Sequence, residues 1–147
     1  MNSEIELKTQ FDPKDMEDIV YLHNLTELKR NPGNMEKLRS AYQKNYRVVT
    51  VWNEREIIGS GRVISDGEMY SSIFDVVVHP KFQKMGIGKK IMEALISDLR
   101  HTCIYLTSTF GNEPFYEKLG FRKHKTALAL YPEKMKNSPY LETETCK

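Results

Sequence analysis

The sequence predicts a mixed α+β fold in which a central, mostly antiparallel sheet is flanked by helices. Apolar and β-branched residues alternate around short polar turns over 46–78, which is typical of an antiparallel meander. A helical pattern over 86–100 then precedes a short apolar stretch at 103–107. A strand reached through such a helix is expected to lie parallel to the strand before the helix.

The N-terminal part carries one strand pattern and two helix patterns. Apolar and polar residues alternate over 4–11, the period of a half-buried strand, and Asp12 and Pro13 end it. Helical spacing then covers 13 to about 29 and 34 to about 44. We therefore expect a strand and two helices before the meander.

The meander is predicted to contain three strands. They cover 46–52, 57–65 and 70–78, and they are separated by the polar stretch NERE and by a turn at Asp66 and Gly67. The following helix has an apolar stripe suited to packing on the sheet. The stripe consists of Ile87, Ile91, Ala94, Leu95 and Leu99.

A short helix with clear boundaries is predicted after the parallel strand. Asn112 is suited to cap it, Pro114 is tolerated in its first turn, and Gly120 is suited to a left-handed C-terminal position. Weak alternation over 121–131 predicts a last strand that closes the sheet, and a polar, flexible tail is expected from about 132.

The composition predicts one soluble cytoplasmic domain that spans 1–147. The chain is 39% hydrophobic and 29% charged, and it has neither a signal-peptide pattern nor an apolar stretch of membrane-spanning length. A formal net charge of +2 gives no reason to expect a nucleic acid or membrane partner. Two cysteines and four scattered histidines predict no metal site.

The stretch VHPKFQKMGIGKKIMEAL places four lysines before its first acid, Glu93. Cations near a helix N-terminus oppose the helix dipole, but a bound anion would reverse that effect. Gly86 and Gly88 would let a phosphate approach the backbone closely. The spacing alone is equally compatible with a solvated basic turn. The standard dinucleotide and P-loop patterns do not fit, because position 91 is Ile and position 83 is Gln.

Two motifs resemble the signatures of the GNAT superfamily of acetyl-coenzyme A-dependent N-acetyltransferases. QKMGIG at 83–88 is similar to the coenzyme A pyrophosphate loop, and NEPFYEKLGF at 112–121 is similar to the second signature. The closest likeness is to small bacterial amine acetyltransferases and to the arylalkylamine group. The resemblance implies a GNAT-like fold whose strands splay apart at the coenzyme site.

The resemblance also implies which residues bind acetyl-coenzyme A. Main-chain groups of Val76, Val77 and Val78 would hold the pantetheine arm and the acetyl carbonyl. Asn112 and Phe115 belong to the second signature. The pyrophosphate would be bound by the loop residues Gln83, Lys84, Met85, Gly86, Ile87, Gly88 and Lys89.

Two residues are candidates for proton transfer. Tyr116 matches the family tyrosine that is proposed to protonate the leaving thiolate, although a tyrosine in a helix also commonly packs against a core. Asp75 is the only charge in IFDVVV, and alternation places it opposite Phe74, Val76 and Val78. It is either a general base acting through a water or a structural carboxylate paired with Arg62 or a helix N-terminus. Weaker base candidates are Glu68, Tyr70, His79 and Glu27.

We therefore predict an N-acetyltransferase that acts on a primary amine by direct attack in a ternary complex. Neither Cys103 nor Cys146 has the context of a nucleophile. Acetylation of a protein N-terminus or lysine and a non-catalytic coenzyme A sensor are the alternatives, and a homodimer is left open. Four aromatic residues either form an acceptor slot that attracts a cation or take part in ordinary packing: Tyr21, Tyr42, Trp52 and Tyr70.

Overall fold

The computed structural model describes residues 4–144. Internal contacts divide the chain into two compact units, one up to Thr109 and one from Phe110. Among the described residues, the first unit contains the sheet and three α-helices, and the second contains one short α-helix.

The first unit is built on a five-stranded sheet with the strands in chain order. The first four are antiparallel neighbours, and β5 is parallel to β4, so the predicted meander and crossover are confirmed. The edge strand β1 is shorter than predicted, it pairs with β2, and all its side chains are exposed. The strands are β1 (Ile5–Lys8), β2 (Arg47–Asn53), β3 (Glu56–Ser65), β4 (Tyr70–Val78) and β5 (Cys103–Leu106).

Three α-helices flank this sheet, and no helix in the described part of the chain is long and apolar enough to cross a membrane. They are α1 (Met16–Asn24), α2 (Met35–Gln43) and α3 (Ile87–Ile96). The first helix ends earlier than predicted because Asn24 anchors the following loop: its Oδ1 accepts a hydrogen bond from the Arg30 N–H at 2.7 Å. This contact fixes the loop that carries Arg30.

The helices α1 and α2 pack on one face of the sheet in a hydrophobic cluster. Trp52, the single tryptophan of the chain, belongs to this cluster, and its Nε1 donates to Thr50 Oγ1 at 2.9 Å. On α3, Ile91 approaches the backbone of β3 so closely that a Cβ on Gly61 would lie 2.9 Å from its Cγ2. A glycine at this position therefore lets the helix pack directly on the sheet.

The second unit contains α4 (Glu113–Lys118) and no strand among its described residues. Gly120 has a φ of +99°, as predicted, and Phe121 N–H donates to Tyr116 O at 3.1 Å, which completes a Schellman motif. Asn112 occupies the N-cap position without a capping side-chain hydrogen bond. The helix boundaries were therefore predicted correctly, although the capping interaction was not.

The prediction that 121–131 forms a closing strand is wrong. The segment has no strand assignment, and Leu128 and Leu130 are each 99% exposed. A strand needs a neighbour for its backbone hydrogen bonds. The alternation in this segment is interrupted by the polar, basic stretch 122–125, and no described strand pairs with it.

Candidate active site

Strands β4 and β5 separate halfway along β4. Their parallel pairing runs from Tyr70 and Cys103 to Ile73 and Leu106, but β4 continues to Val78. The edge of β4 from Phe74 to Val78 therefore has no partner from β5. Unpaired N–H and C=O groups at such an edge are available to a ligand. This separation agrees with the splay that the resemblance implies.

A β-bulge distorts the same part of β4. Ser60 pairs with Val77 and Arg62 pairs with Phe74, so that Asp75 and Val76 together oppose one residue of β3. Asp75 has a φ of +59°, a conformation that aspartate tolerates better than most residues. The bulge redirects side chains locally.

The predicted alternation is wrong at one position because of this bulge. The Arg62 guanidinium lies 5.7 Å from the Phe74 ring, and its Nε donates to Asp75 Oδ2 at 2.8 Å. Phe74 and Asp75 therefore reach the same arginine. Val76 faces the other side, where its Cγ2 lies close to Gly61 and α3.

The Asp75 carboxylate is bound by three side chains. Arg62 contacts Oδ2, Arg30 contacts Oδ1 at 2.5 Å, and the Tyr42 hydroxyl donates to Oδ2 at 3.3 Å. The Asp75 side chain is only 7% exposed. Of the two interpretations of Asp75, the structure thus contains the carboxylate paired with Arg62. Both carboxylate oxygens are occupied by these contacts, and Asp75 is therefore placed as a structural carboxylate that holds two arginines.

Two neutral groups lie behind this carboxylate. His23 is fully buried, and burial, reinforced by Arg30 and Arg62, lowers its pKa to about 4 in spite of the opposing Asp75. Burial, followed by the charge of Asp75, raises the pKa of Tyr42. The Tyr42 hydroxyl lies 3.5 Å from His23 Nε2. At neutral pH the charge of this cluster therefore comes from Asp75 and the two arginines.

The low pKa of His23 predicts that acid destabilises the protein. The unfolded chain binds a proton near pH 6.5, whereas folded His23 does so only at about 4. The free energy of unfolding should therefore fall as the pH decreases between these values, by up to about 1.4 kcal/mol per pH unit, and should be insensitive to this residue above that range. Urea unfolding followed by circular dichroism measures it.

The matched variant for this test is His23→Gln, which removes the titrating group and keeps a polar side chain. The unfolding free energy of the wild type minus that of the variant should decrease as the pH falls from 6.5 to 4, because only the wild type contains the histidine. Carboxylates that titrate in the same range affect both proteins and cancel in this difference. Parallel pH curves for the two proteins would contradict the assigned pKa.

The predicted anion-binding loop lies between β4 and α3. Gly86 occupies the N-cap position with a φ of +81°, no side chain caps the helix, and no acid lies in its first turn. The first helical hydrogen bond is donated by Lys90 to Gly86 O, so that the N–H groups of 87–89 have no partner within the helix. These donors and the helix dipole favour an anion at this end.

Side chains of the loop differ in exposure. Lys84, Lys89 and Met85 are exposed, whereas Ile87 belongs to the core of the first unit, so only its backbone is available to a ligand. Gln83 donates from Nε2 to Val78 O at 3.3 Å, which ties the loop to the end of β4. A Cβ on Gly86 would meet nothing within 4 Å, and the loop is therefore open at that point.

His79 is a structural residue of the loop start. Its N–H donates to Ile58 O at 2.8 Å, and its Nδ1 accepts from the Lys81 N–H at 3.0 Å. This is the hydrogen-bonded loop role that made it a weak base candidate. In the described part of the chain no group of three potential ligands is placed to hold a metal ion.

In the second unit, Tyr116 packs among aromatic rings. Its ring meets those of Phe115 and Phe121 edge to face, at centroid distances of 4.9 and 6.1 Å. Burial raises the pKa of the Tyr116 phenol, so the hydroxyl is protonated at neutral pH. A protonated phenol is the form that a general acid requires.

The four aromatic residues considered for an acceptor slot differ in exposure, and two of them are buried in the core. Tyr42 and Trp52 are core side chains, which is the alternative packing role. Tyr21 and Tyr70 are exposed. Sequence reasoning also missed Arg30, because nothing in its surroundings indicates a contact with a residue 45 positions away.

Comparisons of the sequence with family models and with known proteins indicate the same family. Residues 44–123 match the family described as "Acetyltransferase (GNAT) domain". The chain is 30% identical over 136 residues to the uncharacterized N-acetyltransferase ycf52 of Porphyra purpurea, an alignment that covers 80% of this chain and 78% of that protein. The alignments to two further ycf52 proteins, from Gracilaria tenuistipitata var. liui and Pyropia yezoensis, span 62% and 55% of their lengths.

A glucosamine 6-phosphate N-acetyltransferase from Trypanosoma brucei brucei is 31% identical over 114 residues, covering 76% of this chain and 75% of that protein. Among solved structures, a GNAT family acetyltransferase from Streptococcus pneumoniae superposes with a TM-score of 0.75 at 21% identity, covering 88% of this chain and 99% of that one. This likeness supports the fold.

Proposed function

The chain belongs to the GNAT family of acetyltransferases, and on that premise we propose that it transfers an acetyl group from acetyl-coenzyme A to a primary amine by direct attack in a ternary complex. The observation that carries this proposal is the unpaired edge of β4 from Phe74 to Val78, which leads directly into the anion-favouring loop before α3.

The loop fits the pyrophosphate of the coenzyme. Backbone N–H groups of 87–89 are available, Gly86 leaves open space where a side chain would stand, and the first turn contains no acid. The exposed Lys84 and Lys89 add positive charge. Charge-assisted hydrogen bonds from such donors to phosphate oxygens are about twice as strong as neutral ones.

The edge of β4 fits the acyl part. When bound, acetyl-coenzyme A supplies a thioester whose carbonyl is open to attack by an amine. Main-chain N–H groups within Val76–Val78 are proposed to donate to the carbonyl oxygen and to stabilise the negative charge that develops on it. The bulge at Asp75 fixes the direction in which these groups point.

Tyr116 is proposed to give its phenolic proton to the departing thiolate, while the proton that the attacking amine loses passes to solvent, from which the tyrosine is reprotonated. Its protonated phenol has the chemistry that this step requires. Asp75 is proposed to anchor Arg30 and Arg62 and not to act as the base, since its oxygens are already paired. The cytoplasmic location stays a prediction, and a homodimer is left open as before.

The experiment that tests this function measures thiol release from acetyl-coenzyme A with small amines, amino sugars, amino acids and peptides. Acceptor-dependent release with a small amine is the expected result. Release only with peptides would favour the protein acetyltransferase. Coenzyme binding measured by calorimetry, together with no release for any acceptor, would contradict the proposal and favour a sensor.

A further inference from the structure

The loop between α1 and α2 brings a second arginine to the bulge of β4. Arg30 is held by its own backbone, whose N–H binds Asn24 Oδ1, and its Nη1 donates to Lys29 O at 3.1 Å. Its Nη2 reaches the Asp75 carboxylate. Arg30 and Arg62 thus come from different elements and meet at one carboxylate.

The charges of this cluster do not balance. Two guanidinium groups face the single carboxylate of Asp75, and the adjacent His23 is uncharged at neutral pH because its pKa is about 4. The arginine side chains are only 27% and 17% exposed, so solvent screens the surplus positive charge incompletely. Sheltered charges in proteins are normally paired, and one positive charge of this cluster has no carboxylate within residues 4–144 to balance it.

Both arginines also retain hydrogen-bond donors. Arg62 binds Asp75 through Nε, and neither of its Nη atoms has a hydrogen-bond partner among the described residues. Its guanidinium lies 4.6 Å from the Tyr42 ring and 5.7 Å from the Phe74 ring, which fixes its plane. An arginine oriented in this way presents a fork that matches a carboxylate or a phosphate.

The cluster lies beside the proposed site of acetyl transfer. Asp75 directly precedes Val76, and a strand rises about 3.3 Å per residue, so the backbone of Asp75 is roughly 3 to 10 Å along the strand from the proposed oxyanion donors. The arginines lie on the face of the sheet that carries α1 and α2, whereas Val76 faces α3. An acceptor that approaches from the α1 and α2 face would meet the arginines.

We propose that the acceptor is an amine that also carries an anionic group, a carboxylate or a phosphate, and that Arg30 and Arg62 bind this group. This inference rests on the proposed function and names the acceptor class. A polyamine would instead bring further positive charge to a cluster that already has a surplus.

The first test compares amines that differ only in the anion. Glucosamine 6-phosphate is paired with glucosamine, and an amino acid is paired with its amide, so the two arms separate phosphate from carboxylate. We expect kcat/KM for the anionic member of at least one pair to exceed that of its neutral partner by roughly tenfold or more. Equal or higher values for both neutral members would overturn the inference.

The second test uses Arg30→Gln with Lys29→Gln as the matched control, because both remove one cation from the same loop but Lys29 does not contact Asp75. Arg30→Gln should raise KM for the anionic amine about tenfold and leave the coenzyme Kd unchanged, while Lys29→Gln should change neither. Arg30→Lys keeps the charge without the fork and should restore only part of the affinity. Equal effects of Arg30→Gln and Lys29→Gln would contradict the assignment.

The third test does not depend on turnover. Nitrogen NMR of the arginine Nε–H groups is recorded on protein saturated with coenzyme A, while inorganic phosphate and, separately, acetate are added. We expect saturable shifts at Arg62 and Arg30 with at least one of these anions. If neither anion shifts these resonances, the anion site is overturned even when thiol release is observed. If the resonances shift but no acceptor gives thiol release, only the proposed function is contradicted.

Discussion

Replacing Gly86 with leucine is expected to raise the dissociation constant of coenzyme A at least about 100-fold, or about 2.7 kcal/mol. The φ of +81° is a left-handed conformation, and the space beside Gly86 is open. A leucine side chain would therefore occupy the space that we assign to the pyrophosphate and would keep its oxygens away from the backbone N–H groups of 87–89. Isothermal titration calorimetry measures the affinity.

The matched control for Gly86→Leu is Gly67→Leu. Gly67 has a similar φ of +77° but lies in the turn between β3 and β4, so both variants carry comparable backbone strain of about 1–2 kcal/mol. Urea unfolding should show a similar loss for both, and only Gly86→Leu should lose the coenzyme. Unchanged affinity in that variant would refute the assignment of the loop.

Replacing Tyr116 with phenylalanine should lower kcat by about 100-fold or more while changing the KM for acetyl-coenzyme A little, since general acid catalysis typically contributes at least that factor. The phenylalanine ring keeps the edge-to-face contacts with Phe115 and Phe121 and removes only the hydroxyl. Steady-state thiol release separates kcat from KM.

Tyr140→Phe provides the comparison for Tyr116→Phe. Tyr140 also packs against an aromatic ring of the second unit, that of Phe110 at a centroid distance of 4.6 Å, and it lies outside the proposed signature. Its hydroxyl should be dispensable. Wild-type turnover in Tyr116→Phe, or an equal loss in Tyr140→Phe, would contradict the role of Tyr116 as the proton donor.

The regular elements of the first unit could be predicted because each leaves a local pattern. Alternation gave the bounds of β4 as Tyr70–Val78, which the structure confirms. The apolar stripe of α3 was predicted correctly, although the helix ends at Ile96 and not near Arg100. The anion-favouring N-terminus of α3 could also be predicted from the sequence, because its backbone donors, its glycines and the absence of acids all depend on one short stretch of residues.

The details of the acceptor side were not predictable in the same way. The bulge at Asp75 depends on the register between two strands, and alternation alone assumes that every residue is paired. The approach of Arg30 depends on a loop anchored by Asn24. The strand prediction for 121–131 was wrong for a related reason. Alternation predicts a strand whether or not a neighbouring strand exists to pair with it.

Trp52 has a consequence for spectroscopy. It is the single tryptophan, it is buried against α1 and α2, and the second unit has none. Its emission therefore reports the solvation of the first unit alone, whereas far-ultraviolet ellipticity includes the signal of α4. Fluorescence and ellipticity that change at the same urea concentration would indicate that the two units unfold together. A difference between the two midpoints would give each unit its own measurable stability.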